Sequence, residues 1–265
     1  MGIEIPASWE ASAAAIIQGR WRKVLIIGAV DCGKSTYCHF LSQRLLTAGL
    51  RTAVVDADVG QKDIGPPATI TLGYPEPAMA FSDVQPVAWY FVGAVTPVGH
   101  LLPMVIGLRQ LVDSAQAAFV LLNTTGFING VGRVLKSYKI EAVQPDVVVA
   151  LEHDAELQSL LRAYRHYRTL RLRPAAGARA KTPEQRRLAR QRAFLRYFQT
   201  ATEVLLPCRQ LIFQRAAVPA GFARHLLCGV ADRRGKGLGL ALITGFDWAQ
   251  GMLSLLTPVP AAAIP

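Results

Sequence analysis

Acid is nearly missing from one part of this chain. Between Arg162 and Arg196 there is a single carboxylate, Glu184, against twelve lysines and arginines. Outside that stretch 17 basic and 17 acidic residues balance, so the net charge of +11 belongs to 35 consecutive residues. A body coated evenly in lysine is excluded, and a neutral body with one cationic segment suited to a polyanion remains. Long apolar runs are absent too. The stretch from Val95 to Leu108 is broken by Pro97, Gly99, His100 and Pro103, which excludes a membrane-spanning helix. Cysteine is scarce: Cys32, Cys38, Cys208 and Cys228 show neither C-x-x-C nor metal spacing. That excludes a zinc ribbon or a disulfide framework and reads as reduced thiols in a cytoplasmic protein. The N-terminus has an early Glu4 and no basic segment, so it is not a secretory signal, and Pro6 stands where myristoylation needs Ser or Thr. What is abundant is apolar: 51% of residues are hydrophobic and 18% charged, which excludes disorder for most of the chain.

The apolar pattern alternates between two periods. Strands are expected over 21–30, 51–60, 86–95, 118–125, 146–152 and 168–173. Helices are expected over 7–20, 34–48, 99–116, 131–143 and 155–166, with a proline- and glycine-rich loop over 60–85. Val24 to Ile27 is a continuous apolar run, as a parallel strand buried on both faces requires. This order predicts an α/β three-layer fold with a mainly parallel sheet. After about residue 200 the pattern changes to short antiparallel strands over 225–232, 238–247 and 249–258, read as a small β-rich appendage closing on the α/β body.

The sharpest motif is Gly28-Ala29-Val30-Asp31-Cys32-Gly33-Lys34-Ser35-Thr36, which fits G-x-x-x-x-G-K-[ST] between a buried strand and a helix. Its backbone N–H groups and the helix N-terminus suit phosphate oxygens. Lys34 would reach the β- and γ-phosphates of ATP, and Ser35 would hold Mg²⁺. Asp31 is unusual, because a carboxylate beside a polyphosphate costs Coulomb energy unless it faces a metal or a donor. Its alternative reading is a cap on the following helix.

Two further segments bear on the chemistry. Asp56-Ala57-Asp58-Val59-Gly60-Gln61 ends the second strand, where ligands of open α/β sheets bind. Asp58 is the expected base or metal-holding carboxylate, Gln61 a polar positioner, and alternation puts Asp56 and Asp58 on one face. A basic helix is expected at about 175–198, with Thr182 as N-cap, Pro183 at its first position and Gln185 three residues after the cap. Arg186 and Arg190 share one face of it, as a lid over a transferring phosphate needs.

The P-loop with Asp31, then D-A-D-V-G-Q followed by Gly65-Pro66-Pro67, then T-P-E-Q-R-R-x-x-R ending in Tyr197-Phe198, together resemble the polynucleotide 5′-hydroxyl kinase family. That family includes the kinase subunit of the eukaryotic mRNA cleavage factor and the nucleolar pre-rRNA-processing kinases. F-V-G-A-V-T-P-V-G-H, N-T-T-G-F-I-N-G-V-G and G-K-G-L-G-L-A-L-I-T-G-F-D resemble its lesser motifs, and the likeness runs from about 20 to 258. The resemblance implies a P-loop kinase domain over 1–200 including the arginine-rich lid, and an appendage over 201–265. It implies ATP and Mg²⁺ as cofactors and single-stranded RNA or DNA 5′ ends as partners, with no membrane. Lys34, Asp58, Arg186 and Arg190 are then catalytic; Gly28, Asp31, Gly33, Lys34, Ser35 and Thr36 hold the nucleotide; Ser35 and Asp58 hold the metal. Gln61 and a clasp of Thr124, Thr125, Gly126 and Phe127 meet the substrate. Phe127 stands where the family often has Trp. Trp9 and Trp21 are read as packing residues rather than as an adenine platform.

Two other readings stay open: a catalytically silent ATP-bound scaffold of an RNA-processing complex, and a P-loop kinase or GTPase of a small molecule. No guanine-reading N-K-x-D segment is visible. Within the basic stretch, Arg162, Arg165, Arg168, Arg171, Arg173 and Arg179 are left to track a substrate backbone.

Overall fold

The computed structural model describes residues 4–177, 180–212, 225–247 and 249–264. Five parallel strands form its centre in the order β7 (Thr169–Leu172), β6 (Val147–Leu151), β1 (Lys23–Gly28), β5 (Phe119–Thr124) and β2 (Thr52–Ala57). Alternation along these strands feeds two cores. Val24, Ile26, Val54, Leu121 and Val149 face α1 (Ala7–Gly19) and α2 (Lys34–Thr47). Leu25, Ile27, Val55, Leu122 and Val148 face α3 (Leu101–Ser114), α4 (Val131–Val143) and α5 (Gln158–Ala163). This is the expected three-layer α/β arrangement, and it explains why β1 is apolar at every position. Trp9 is fully buried and packs edge-on against Tyr37 at 5.1 Å, a packing role.

The region read as a loop over 60–85 contains a strand, β3 (Thr69–Gly73), which pairs antiparallel with β2 and is buried throughout. Its five residues lie between Pro66-Pro67 and Pro75, so turn residues mask its short alternation. The helix expected over 155–166 shrinks to α5. β3 pairs with β4 (Pro86–Phe91), which meets β10 (Gly237–Asp247) at Trp89. Beyond it lie β11 (Met252–Thr257) and β8 (Thr202–Pro207), while β9 (Leu226–Ala231) pairs with the other edge of β10. The antiparallel strands after residue 200 therefore continue the central sheet while keeping a small core of their own around Ala241, Ile243, Leu253 and Leu255. β8 was not among the expected strands.

The basic helix α6 (Pro183–Phe198) starts later than about 175, at the expected cap. Thr182 Oγ1 accepts the Gln185 N–H at 3.1 Å, and the Gln185 side chain accepts the Thr182 N–H at 2.9 Å. No residue of α6 is buried. Its far end is anchored where the Tyr197 hydroxyl accepts the Leu240 N–H at 2.6 Å and the ring meets Trp89 at 5.6 Å. Among the described residues no helix is long and apolar enough to cross a membrane.

Candidate functional site

In the sheet order β1-β5-β2, the three segments that follow these strands meet at one end. They are the glycine-rich loop after β1, Asp58 after β2 and the clasp after β5. The contacts are close. A Cβ on Gly126 would lie 2.5 Å from the Val30 Cα, and one on Gly60 would lie 2.7 Å from the Val95 carbonyl oxygen. Glycine at these positions lets the clasp reach the phosphate loop and lets the V-T-P segment reach the Asp58 turn.

Gly33, with φ +82°, is the N-cap of α2 and brings no side-chain cap. Asp31 adopts φ +59°, uncommon for a residue with a Cβ. Its carboxylate does not cap α2. It accepts the Lys181 N–H at 2.8 Å and the Arg186 guanidinium at 2.5 Å, from 155 residues away. The loop carboxylate thus faces a donor, which is the condition that makes it tolerable there. Lys34 is buried and its ammonium donates to the Ala29 carbonyl at 2.6 Å, inside the loop. Arg190 lies one turn beyond Arg186 on the same face, half-buried, whereas Arg187 pairs with Glu184 at 4.0 Å among exposed side chains.

Asp58 is half-buried, and its Oδ1 accepts the N–H groups of Gly60 and Gln61, both at 3.0 Å. The Gln61 side chain donates to the Gly60 carbonyl, so its amide is turned along its own loop. Asp56 is buried beneath. It accepts the N–H groups of Asp58, Asp63 and Ile64 and lies 3.4 Å from the fully buried Lys62 ammonium. Asp56 thus braces the loop from beneath, while Asp58, just past the end of β2, holds the Gly60–Gln61 turn.

The clasp threonines are turned inward. Thr124 Oγ1 donates to the Ile26 carbonyl at 2.7 Å and accepts from Lys136 at 3.0 Å. The Lys136 ammonium also donates to the Thr125 carbonyl at 2.5 Å. Their hydroxyls are thereby committed to holding the clasp, which leaves Gly126 and the half-buried Phe127 as its accessible part.

Residues absent from the sequence reading surround Ser35. Asn123 Nδ2 donates to Ser35 Oγ at 3.2 Å and to Asp56 Oδ1 at 3.3 Å. The Ser35 hydroxyl also bears on the Asp63 carboxylate. Four buried side-chain polar atoms have no hydrogen-bond partner among the described residues: Asp63 Oδ2, Asn123 Oδ1, Lys139 Nζ and Arg186 Nε. Buried polar atoms are normally satisfied; Asp63 and Asn123 lie beside Ser35, and Arg186 reaches the phosphate loop at Asp31. Burial pushes the Lys139 ammonium down to about 8, opposed first by the Asp58 charge, and pushes Lys136 well down. These lysines escaped the sequence reading because L-K-S-Y-K-I looks like an ordinary mixed helix face.

No group of three or more His, Cys, Asp or Glu forms a self-contained metal cage among the described residues. Mg²⁺ takes one or two carboxylates and completes its shell with waters and phosphates. The orphaned oxygens of Asp63 and Asn123 beside the Ser35 hydroxyl are suited to that shell. Burial, then the Asp56 charge, raises the Asp63 carboxyl from its ordinary 3.8 to about 6. Because the folded value is the higher one, its charged form opposes folding. The Asp63 contribution to stability is fully present below about 4 and is lost as pH rises through about 6. Asp63→Asn is expected to flatten this decline in thermal melts at pH 4.5 and 7 in EDTA. Added Mg²⁺ at pH 7 should raise the melting temperature of the parent protein more than that of the variant. The same pH profile and Mg²⁺ response in both would separate Asp63 from the cation.

The basic residues before α6 fall in different places. Arg173 lies just past the carboxyl end of β7, toward the phosphate loop, and Arg171 pairs with Glu152 at 2.5 Å. Arg165, His166 and Arg168 line a cavity of about 410 Å³ with Pro145 and Asp146 at the amino ends of β6 and β7, the end away from the loop. Arg168 stacks on Trp21 at 4.4 Å, and Arg162 is exposed on α5. Arg179 lies outside the described residues.

The family model for the mRNA cleavage and polyadenylation factor CLP1 P-loop matches residues 28–200. A polyribonucleotide 5′-hydroxyl-kinase of Pyrococcus furiosus is 38% identical over 75% of this chain, and the match spans 57% of that protein's length. One from Pyrococcus horikoshii is 30% identical, with 91% of this chain and 82% of the relative covered. The polyribonucleotide 5′-hydroxyl-kinase Clp1 of Xenopus tropicalis is 33% identical over 91% of this chain and 68% of its own. Among solved structures, the wild-type Clp1p–Pcf11p complex matches with a TM-score of 0.74 at 14% identity, covering 98% of this chain and 77% of that one.

Proposed function

This chain belongs to the CLP1 P-loop family, and from that premise we propose that it is an ATP- and Mg²⁺-dependent kinase of polynucleotide 5′-hydroxyl ends, acting on RNA with DNA as a second substrate. The observation that carries the reading is the contact between Arg186 and Asp31, which draws the arginine helix onto the phosphate loop. A guanidinium whose Nε is buried and unpartnered there suits the charge that spreads over a transferring phosphoryl group.

The chain's residues divide the work. The loop backbone and Lys34 bind and orient the nucleotide phosphates. Asp58 accepts the hydrogen bond, and then the proton, of the acceptor hydroxyl. Arg186 and Arg190 stabilise the γ-phosphoryl charge from the lid side. Ser35, Asp58 and Asp63 are the groups that would hold Mg²⁺, which supplies neutralisation of phosphate charge when bound. Gly126 and Phe127 border the acceptor, where an aromatic face supports a terminal base.

Transfer of labelled γ-phosphate to matched 5′-hydroxyl RNA and DNA oligonucleotides tests the proposal. Transfer to RNA at or above the rate on DNA is expected, and no transfer to either at saturating MgATP overturns it. Arg165 and Arg168 stand roughly 15 Å below the loop by strand rise. Replacing both by alanine should therefore leave kcat within about two-fold while making RNA binding less salt-dependent, as fewer counterions are released. A ten-fold fall in kcat would place them in the chemistry instead.

A further inference from the structure

Lys136 of α4 has no exposed surface, and every donor on its ammonium is in use. The partners are Thr124 Oγ1 at 3.0 Å, the Thr125 carbonyl at 2.5 Å and Thr125 Oγ1 at 3.3 Å. All three acceptors are neutral oxygens, and all belong to the two residues that open the clasp. An ammonium buried without a carboxylate opposes stability, and an apolar side chain would fill the same space with less loss. What the ammonium adds over an apolar stem is a fixed direction for the groups it touches.

The direction that matters is that of one peptide plane. In a planar trans peptide the carbonyl and the following N–H point opposite ways. Lys136 holds the Thr125 carbonyl inward, so the Gly126 N–H points outward. The chain emerges at this peptide, since Thr125 is buried and Gly126 and Phe127 are half-buried. The Gly126 N–H has no hydrogen-bond partner among the described residues. Neighbouring contacts tie the same segment to the phosphate loop. Thr124 Oγ1 donates to the Ile26 carbonyl of β1 at 2.7 Å, and a Cβ on Gly126 would meet the Val30 Cα at 2.5 Å. A Thr125–Gly126 peptide free to rotate would carry Gly126 and Phe127 with it.

We propose that Lys136 is a positioning residue for the acceptor end of the substrate: by pinning the Thr125–Gly126 peptide it presents the Gly126 N–H and the Phe127 ring to the terminal nucleotide. It touches no substrate, and its effect runs through the clasp. The inference rests on the kinase reading, which sets the acceptor against this clasp. Lys136→Met keeps the stem and removes the three donors. Loss of a lysine that only filled the core would loosen the fold and both ligand sites together. Loss of a positioning lysine affects one ligand and spares the other.

Binding measurements without turnover separate the two. Calorimetry gives the affinity for ADP, and fluorescence anisotropy with ADP bound gives the affinity for a 5′-hydroxyl RNA oligonucleotide. In Lys136→Met the oligonucleotide should bind at least about ten-fold more weakly, with ADP within about two-fold of the parent. Unchanged oligonucleotide affinity overturns the inference, and so does a parallel loss of both affinities. Lys136→Gln, which keeps a donor on a shorter stem, is read in the same way if the methionine variant does not fold. Phe127→Ala completes a double-mutant cycle. The effect of Lys136→Met on the oligonucleotide should shrink once Phe127 is gone, and an equal effect in both backgrounds overturns the inference. The transfer assay tests the kinase reading separately. A parent that binds the oligonucleotide without phosphorylating it, yet shows the affinity split, sinks the kinase reading and leaves the positioning role standing. A parent that transfers phosphate while Lys136→Met shows no split sinks the positioning role alone.

Discussion

Arg186→Ala should lower kcat by about 10³, roughly 4 kcal/mol of transition-state stabilisation. The helix that carries Arg186 buries none of its residues, so the substitution removes no core contact. What it removes is the Asp31 ion pair at 2.5 Å and the unpartnered Nε beside the phosphate loop. Asp31 keeps the Lys181 N–H at 2.8 Å, so the stability lost is expected to stay at about 1 kcal/mol or less. Arg186→Lys should recover only part of the rate, because an ammonium cannot serve Asp31 and a phosphoryl oxygen with one planar fork. Asp31→Asn provides the control. If Asp31 only latches the lid, its loss should cost less than the loss of Arg186. Steady-state kinetics on the three variants decide this. A kcat for Arg186→Ala within three-fold of the parent would remove the arginine from the chemistry.

The second large effect is expected at Lys34. Lys34→Met keeps the aliphatic stem in its buried place at the start of α2 while removing the charge that, on the proposed kinase reading, would meet the β- and γ-phosphates. Transfer should fall by at least about 10³, with ATP affinity weakened as well, since this lysine meets the phosphates before and during transfer. Circular dichroism should show an unaltered fold, because the hydrogen bonds given up are to the Ala29 carbonyl and the Cys32 sulfur of the same loop. Retained transfer would mean that the loop does not cradle the reacting nucleotide. The two variants also separate from each other. Lys34→Met should weaken nucleotide binding and turnover together, whereas Arg186→Ala should act mainly on turnover.

The three-layer fold and the phosphate loop were legible because their signals are local. Nine consecutive residues between an apolar run and a helix specify the loop, and each central parallel strand shows its environment in its own composition. The cap of α6 was read correctly for the same reason: Thr182 and Gln185 are three residues apart and bond to each other. The strands β3 and β8 were not legible. β3 is five residues enclosed by prolines, and neither strand announces its partner.

What the sequence alone determined, then, is the class of fold, the place of the phosphate loop, the start of the basic helix and the confinement of the net charge to one stretch. Tertiary structure decided which charges meet. Asp31 changes from an anomaly in the loop to the latch for Arg186, across 155 residues that no local pattern spans. The basic stretch divides into a helix drawn onto the phosphate loop and a cluster at the far end of the sheet, because β7 runs from one end to the other. Lys62, Lys136 and Lys139 look in sequence like solvated charges and lie buried, Lys62 against Asp56 and Lys136 against Thr124 and Thr125. The physical reason is common to all three. Charge and hydropathy are properties of a residue, whereas burial and electrostatic partnership are properties of a place in the fold.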